Sequence, residues 1–178
     1  MKMSNISKCA VTAVNIALCI VLPFALHAIP NAGSVLCPMH IPVLLCGLMC
    51  GWPYGLACGL IGPALSSLVT GMPPVAMLPQ MMLECAVYGF TAGLLFRLVQ
   101  TKYRVLNLYI SLVAAMLLGR LVAGAAAALL FAQATMTFNI FFTSYFVVSL
   151  PGIVLQLLLI PAIVMALSKT KLVPAYED

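Results

Sequence analysis

The chain has 178 residues, of which 65% are hydrophobic and only 6% are Asp, Glu, Lys or Arg. A soluble domain carries roughly a quarter of its residues as charged side chains, so this composition excludes a soluble globular protein and indicates a chain whose solvent is largely lipid. The formal net charge of +5 does not indicate nucleic-acid binding, because the basic residues are few and lie at the ends of apolar segments. We expect residues 1–178 to form a single membrane domain, because no hydrophilic stretch is long enough for a second one.

The first three predicted spans cover residues 9–28, 39–51 and 54–70. The first is longer than the apolar region of most signal peptides, and further spans follow it, so we interpret it as an uncleaved transmembrane helix. A turn-rich stretch, "IPNAGSVLCP", separates the first span from the second. The motif "GWPYG" between the second and third spans predicts a turn with aromatic residues suited to a membrane interface.

The last three predicted spans cover residues 75–98, 107–132 and 149–167. "RLVQTKYR" is the basic loop between the fourth and fifth spans. In the sixth span, Pro151 and Pro161 are positions where the helix can bend. The sequence therefore predicts an all-α integral membrane protein, a compact bundle of six transmembrane helices.

The basic residues are distributed asymmetrically over the two sides of this bundle. If the N-terminus lies inside, the outer loops contain no Lys or Arg, and the inner segments contain seven: Lys2, Lys8, Arg97, Lys102, Arg104, Lys169 and Lys171. Cytoplasmic loops are enriched in Lys and Arg. We therefore expect both termini to be cytoplasmic in a bacterial plasma membrane.

The eighth basic residue, Arg120, lies within the fifth span, and Glu84 lies within the fourth. Each is about 13 residues from the inner end of its helix, so at about 1.5 Å per residue both lie about 20 Å above the inner boundary. A charge at membrane depth costs at least about 2.5–3.5 kcal/mol, and this cost falls if the two side chains pair or face water. Two compatible interpretations remain open: a salt bridge that joins the two spans, or a solute pocket that one or both side chains line.

Other polar residues extend the candidate site. Gln80, Glu84 and Tyr88 are spaced four apart and therefore share one face of the fourth span, where they serve either as interhelical hydrogen-bonding groups or as solute ligands. His40 begins the second span and is either an interfacial residue or a group at the mouth of the pocket. Asn31 and Asn139 lie in outer loops and are weaker candidates.

The sequence contains no motif for covalent chemistry. It has no Walker motif, HExxH or GxSxG, and its seven cysteines form no CxxC pair, so they are best explained as small packing residues. No His, Cys, Asp or Glu cluster has the spacing of a metal site. We predict no catalytic residue, no metal and no cofactor in this chain.

The first span carries small residues at helical spacing: Ala10, Ala13 and Ala17. Ala13 and Ala17 are four apart, and such a pair makes a flat strip that another helix can approach closely. Small residues are common in membrane helices, so the spacing alone is a weak indication of a docking surface.

The chain resembles the substrate-binding S component of energy-coupling factor (ECF) vitamin transporters. The resemblance rests on the segment "MHIPVLLCGLMCGWPYGLACGLIGPALSSLVTGMPP", followed by "LECAVYGFTAGLL", and on "LLGRLVAG" in the fifth span. It is also carried by the small-residue strip of the first span, which matches the family's Ala-x-x-x-Ala pattern at Ala13 and Ala17. The resemblance covers essentially the whole chain and is one of overall pattern.

The resemblance implies a binding subunit that captures a scarce micronutrient on the outer side and associates with an ATP-driven coupling module. That module consists of one membrane subunit, docked on the Ala13 and Ala17 strip, and two cytoplasmic ATPases that use ATP. The positions here that fit the family's pocket are Asn31, His40, Gln80, Glu84, Tyr88, Arg120 and Asn139.

The solute is not identified by the sequence, nor is its affinity or whether the coupling module is shared with other binding subunits. Arg120 has five donors in a planar fork, which suits a carboxylate, and pantothenate is the first expectation. Folate is a larger anion, and a queuosine precursor would place an amine on Glu84. The alternatives to a transporter subunit are an intramembrane enzyme, with Glu84 as an acid or base, and a structural membrane subunit.

Overall fold

The computed structural model describes residues 3–29, 31–129, 139 and 142–169. Six helical segments in this part of the chain are long and apolar enough to cross a membrane, which confirms the predicted all-α membrane architecture. The helices are α1 (Asn5–Ala25), α2 (Ala32–Leu36), α3 (His40–Cys50), α4 (Trp52–Thr70), α5 (Leu78–Leu98), α6 (Arg104–Leu129) and α7 (Leu150–Lys169), and a π-helical turn at Thr143–Val148 precedes α7. The fifth predicted span ends at residue 132, and residues 130–132 lie outside the described part of the chain.

Local signals at the helix ends explain where several of these helices begin and stop. The Ser4 side chain caps α1 by accepting a hydrogen bond from the Ser7 backbone N–H at 3.1 Å, which satisfies one of the free donors of the first turn. Helix α4 follows Gly51, which has a φ of +96°, and carries Pro53 in its first turn, where proline is favourable. It ends at Gly71 in the left-handed conformation, a common helix stop.

The second membrane-crossing segment differs most from the sequence-based expectation. It was predicted to begin at residue 39, whereas the structure begins it at Ala32 with α2, interrupts it, and continues it as α3. The interruption has a local cause, because Pro38 disfavours a helical conformation at the residue before it. Cys37 is the C-cap of α2 and has a left-handed conformation with a φ of +46°, a common way for a helix to end. The proline and glycine around this segment predicted a loop and concealed the five-residue helix α2.

Helix α3 is the centre of the bundle, since every residue from His40 to Cys50 is buried. It packs against α1, α4 and α5, and α5 also packs against α4 and α6. The closest approach involves glycines, because a Cβ atom built on Gly89 would overlap the backbone of Gly55, and one built on Gly47 would overlap the backbone of Gly89. Small residues of this kind let membrane helices pack with their backbones in contact.

Helix α1 lies at the edge of the bundle with its polar side inward. It buries Thr12, Asn15 and Cys19, while apolar residues on its other side, such as Val14 and Phe24, are 59% and 67% exposed. Within a lipid bilayer, a polar group costs free energy unless another group of the protein forms a hydrogen bond with it. Here Thr12 and Asn15 donate hydrogen bonds to backbone carbonyls one turn earlier, so the outer face of α1 is left apolar.

Gly89→Ala is expected to lower the thermal stability of the purified protein in detergent, because the new methyl group has no room at the α4–α5 crossing. Overpacking of this kind costs about 1–3 kcal/mol. Gly33→Ala is the matched control, since a Cβ atom at Gly33 has no atom within 4 Å. Equal melting temperatures for the two variants would contradict the tight crossing.

Candidate functional site

Buried polar side chains from three helices meet within the bundle. His40 begins α3, Glu84 and Tyr88 lie one turn apart on α5, and Arg120 lies on α6. None of the four residues is more than 6% exposed. Four of the seven residues predicted to bind solute therefore lie together, including both charges that were expected to share one depth.

The Tyr88 hydroxyl connects the two charged side chains. It donates a hydrogen bond to Glu84 Oε1 at 3.1 Å and accepts one from Arg120 Nε at 2.9 Å. A hydrogen bond to a charged group contributes about 1.5–3 kcal/mol, which is comparable to the cost of holding one charge within a membrane. Glu84 and Arg120 are thus linked through a neutral side chain rather than by a simple ion pair.

The position of Tyr88 is fixed by its neighbours on α3 and α6. Its ring lies directly over Gly119, where a Cβ atom would overlap the ring carbons. The His40 ring meets it edge to face, with the centroids 4.7 Å apart, an arrangement that aromatic pairs favour. Gly119 therefore gives Tyr88 the space to place its hydroxyl between Glu84 and the neighbouring Arg120.

Arg120 also binds the segment that leads into α7. Its Nη1 donates hydrogen bonds to the Tyr145 carbonyl oxygen and to Ser149 Oγ, the latter at 2.7 Å, and its guanidinium lies 5.6 Å from the centroid of the Phe146 ring. These contacts use Nε and Nη1. Among the described residues, Nη2 has no hydrogen-bond partner.

The geometry shows a link between the spans, one of the two interpretations that the sequence left open, and the solute pocket stays a prediction. Arg120 joins α5, α6 and the segment before α7. Among the described residues, its Nη2 and the Glu84 oxygen that Tyr88 does not contact make no hydrogen bond. A fixed guanidinium with unused donors is suited to an anionic or carbonyl oxygen, because little side-chain entropy is lost when that oxygen binds.

The remaining predicted residues lie outside this hydrogen-bonded group. Gln80 is half-buried, one turn before Glu84 on α5. Asn31 is exposed before α2, where its carbonyl accepts hydrogen bonds from the Ser34 and Val35 N–H groups. Asn139 is also exposed. In the described part of the chain, no three His, Cys, Asp or Glu side chains are placed to hold a metal ion.

Sequence reasoning missed two polar residues, Ser149 directly before α7 and Gln156 on α7. Ser149 is 3% exposed and binds Arg120, and Gln156 is fully buried. Gln156 Nε2 donates to the Cys37 carbonyl at 3.3 Å, at the break between α2 and α3. A signal was present, because the two residues are seven apart, or two helical turns, and Gln156 is the only amide in an otherwise apolar span.

Tyr88→Phe is expected to destabilise the protein by about 1–3 kcal/mol, because Glu84 loses its donor and Arg120 Nε loses its acceptor while both remain buried. Thermal unfolding in detergent measures this loss. Tyr103→Phe removes the same hydroxyl from a residue that is 66% exposed and should leave stability unchanged. A Tyr88→Phe protein as stable as this control would show that the hydroxyl contributes little.

The chain was compared with protein families, curated proteins and solved structures. The family model described as "ECF transporter, substrate-specific component" matches residues 7–167, which extend from the first turn of α1 into the last turn of α7. Neither a curated protein nor a solved structure matches the chain. Because the family model matches most of its length, this chain belongs to the substrate-specific components of ECF transporters.

Proposed function

We propose that this chain is the high-affinity binding subunit through which a bacterial cell takes up one small, water-soluble vitamin or related micronutrient, and that pantothenate is its first candidate. The family accounts for transport and membrane location. The observation that supports an anionic solute is Arg120, which is 2% exposed and whose Nη2 has no hydrogen-bond partner among the described residues. A carboxylate is the acceptor that best matches such a guanidinium.

Two other solutes fit parts of the same site. Folate is also anionic but needs a larger space, and a queuosine precursor would bring an amine to the free oxygen of Glu84. All three would bind within the buried group formed by His40, Glu84, Tyr88 and Arg120. Mass spectrometry of small molecules released from the purified protein distinguishes them. It also tests the alternatives, since a structural subunit would release no such molecule and an enzyme would convert its ligand.

We further propose that both termini face the cytoplasm and that the solute enters from the opposite side. The basic residues support this orientation. Lys8 at the start of α1, Arg97 at the end of α5, and Lys102 and Arg104 before and at the start of α6 all belong to one end of the alternating helices. Basic residues are enriched on the cytoplasmic side of membrane proteins.

Arg120→Ala is expected to lower the affinity for pantothenate at least about 30-fold, because truncating one partner of a buried charged hydrogen bond costs about 2–5 kcal/mol. Equilibrium binding to the purified chain measures this loss. Arg97→Ala is the control, since it removes the same charge from an exposed position at the inner end of α5. An unchanged affinity in a folded Arg120→Ala protein would remove Arg120 from the site.

We propose that α1 docks on the membrane subunit of the coupling module through Ala10, Ala13 and Ala17. All three are exposed and lie on the side of α1 opposite its buried Thr12 and Asn15. Small side chains let a partner helix approach closely. In this arrangement, two ATPase subunits that bind the coupling subunit supply the energy, and this chain supplies the solute.

Replacement of Ala13 and Ala17 by Trp is expected to abolish co-purification with the coupling module and ATP-dependent uptake, while the isolated chain binds its solute as before. The bulky rings separate the two helices without touching the buried site. Leu158→Trp on α7 is the control, because Leu158 is 66% exposed on a helix that we do not place at the interface. Uptake that survives the double substitution would exclude this docking face.

A further inference from the structure

The second membrane-crossing segment is broken beside the candidate site. Together α2 and α3 make one span, Ala32–Cys50, but residues 37–39 between them are not α-helical. Within a membrane, irregular backbone is tolerated where it is buried in protein or lines a polar cavity. Broken helices are also found around the solute in other transporters. The break therefore marks a place where backbone and side-chain polar groups become available within the bundle.

Gln156 of α7 binds this break and keeps one atom unpaired. Its Nε2 donates to the Cys37 carbonyl at 3.3 Å, and the same carbonyl accepts a hydrogen bond from the His40 backbone N–H at 3.1 Å. The first bond fixes the orientation of the amide, so Oε1 is the remaining acceptor. The Gln156 residue is 0% exposed, and Oε1 has no partner among the described residues. A buried amide oxygen without a donor is costly.

His40, whose backbone N–H donates to the same Cys37 carbonyl, presents a second unpaired side-chain atom. Its Nε2 lies 3.9 Å from Glu84 Oε1, too far for a hydrogen bond, but the nearby carboxylate electrostatically favours the tautomer that has its N–H on Nε2. Nδ1 is then an acceptor. It is buried and has no partner within the described part of the chain. Two buried acceptors, Gln156 Oε1 and His40 Nδ1, thus flank the break in the second span.

Arg120 and the break offer different groups to a solute. Ser149, which binds Arg120, comes seven residues before Gln156, a rise of about 10 Å along a helix. Among the described residues, Arg120 Nη2 has no acceptor. Gln156 Oε1 and His40 Nδ1, beside the break, have no partner there. A solute that satisfies both places must itself have an acceptor for Arg120 and a donor for the break.

We propose, on the basis of the function proposed above, that the solute carries a carboxylate or carbonyl oxygen for Arg120 Nη2 and a separate hydroxyl or N–H group that donates to Gln156 Oε1 or His40 Nδ1. The substrate class is therefore a small acid or carbonyl compound that bears hydroxyl or N–H donors. Simple dicarboxylates and acids with an apolar tail are excluded, because they leave both buried acceptors unpaired.

The test compares matched solutes on the full-length purified chain. Pantothenate, folate and a deazaguanine precursor of queuosine are each paired with an analogue in which a methyl group replaces the hydrogen of one O–H or N–H donor. The unaltered chain is expected to bind at least one analogue about tenfold or more weakly than its parent, as expected for a buried acceptor that loses its donor. In the Gln156→Met protein, the preference for the parent over its methylated analogue should disappear, because the acceptor Oε1 is absent. The Gln100→Met protein, which is altered at an exposed loop residue, should keep this preference.

His40→Phe provides a second variant that keeps the ring beside Tyr88 and removes Nδ1, so the test does not depend on the folding of Gln156→Met. If both variants prefer the parent over the analogue as strongly as the unaltered chain does, this inference is wrong and the proposed function is unaffected. The same conclusion follows if the unaltered chain binds a parent and all its analogues with equal affinity. An unaltered chain that binds none of the three parents would instead overturn the proposed function itself.

Discussion

The burial of one guanidinium within a membrane-crossing helix constrains much of the structure around it. Arg120 cannot be hydrated by bulk water at its depth, so protein must supply acceptors in three directions. Tyr88, the Tyr145 carbonyl and Ser149 do so. These partners come from α5, the π-helical turn and the start of α7, and the charge thereby fixes the relative positions of elements that are distant in sequence.

The same requirement explains why the site is both rigid and incomplete. Three acceptors hold the guanidinium, yet a guanidinium has five donors. In the part of the chain that the structure describes, Arg120 Nη2, one oxygen of Glu84, His40 Nδ1 and Gln156 Oε1 have no hydrogen-bond partner, and all four residues are buried. A protein selected for stability alone would gain by replacing such groups with apolar residues. Their presence is understandable if a solute completes the hydrogen bonding.

The bundle separates this polar interior from an apolar exterior. Helix α3 is buried on all sides, and the glycine contacts at Gly47, Gly55 and Gly89 bring α3, α4 and α5 close enough to exclude lipid from the core. Helix α1 lies at the edge of the bundle, where its polar residues face inward and its alanines face outward. The buried polar residues and the exposed alanines of α1 therefore lie on separate parts of the bundle, as the proposed solute site and docking face require.

Regularities within single helices could be read from the sequence. The apolar lengths predicted six spans, the four-residue spacing of Glu84 and Tyr88 predicted a shared face, and the rise per residue predicted a common depth for Glu84 and Arg120. These inferences succeed because helix geometry depends only on residues that are close along the chain.

Contacts between helices were decided by the tertiary structure. The link through the Tyr88 hydroxyl depends on the space over Gly119, and the roles of Ser149 and Gln156 depend on how α7 lies against α6 and the break after α2. No spacing in the sequence encodes those distances, because they follow from which side chains leave room for a neighbouring helix. The sequence by itself determined that a charge lies within the membrane, whereas the packing determined which groups satisfy it and which remain free.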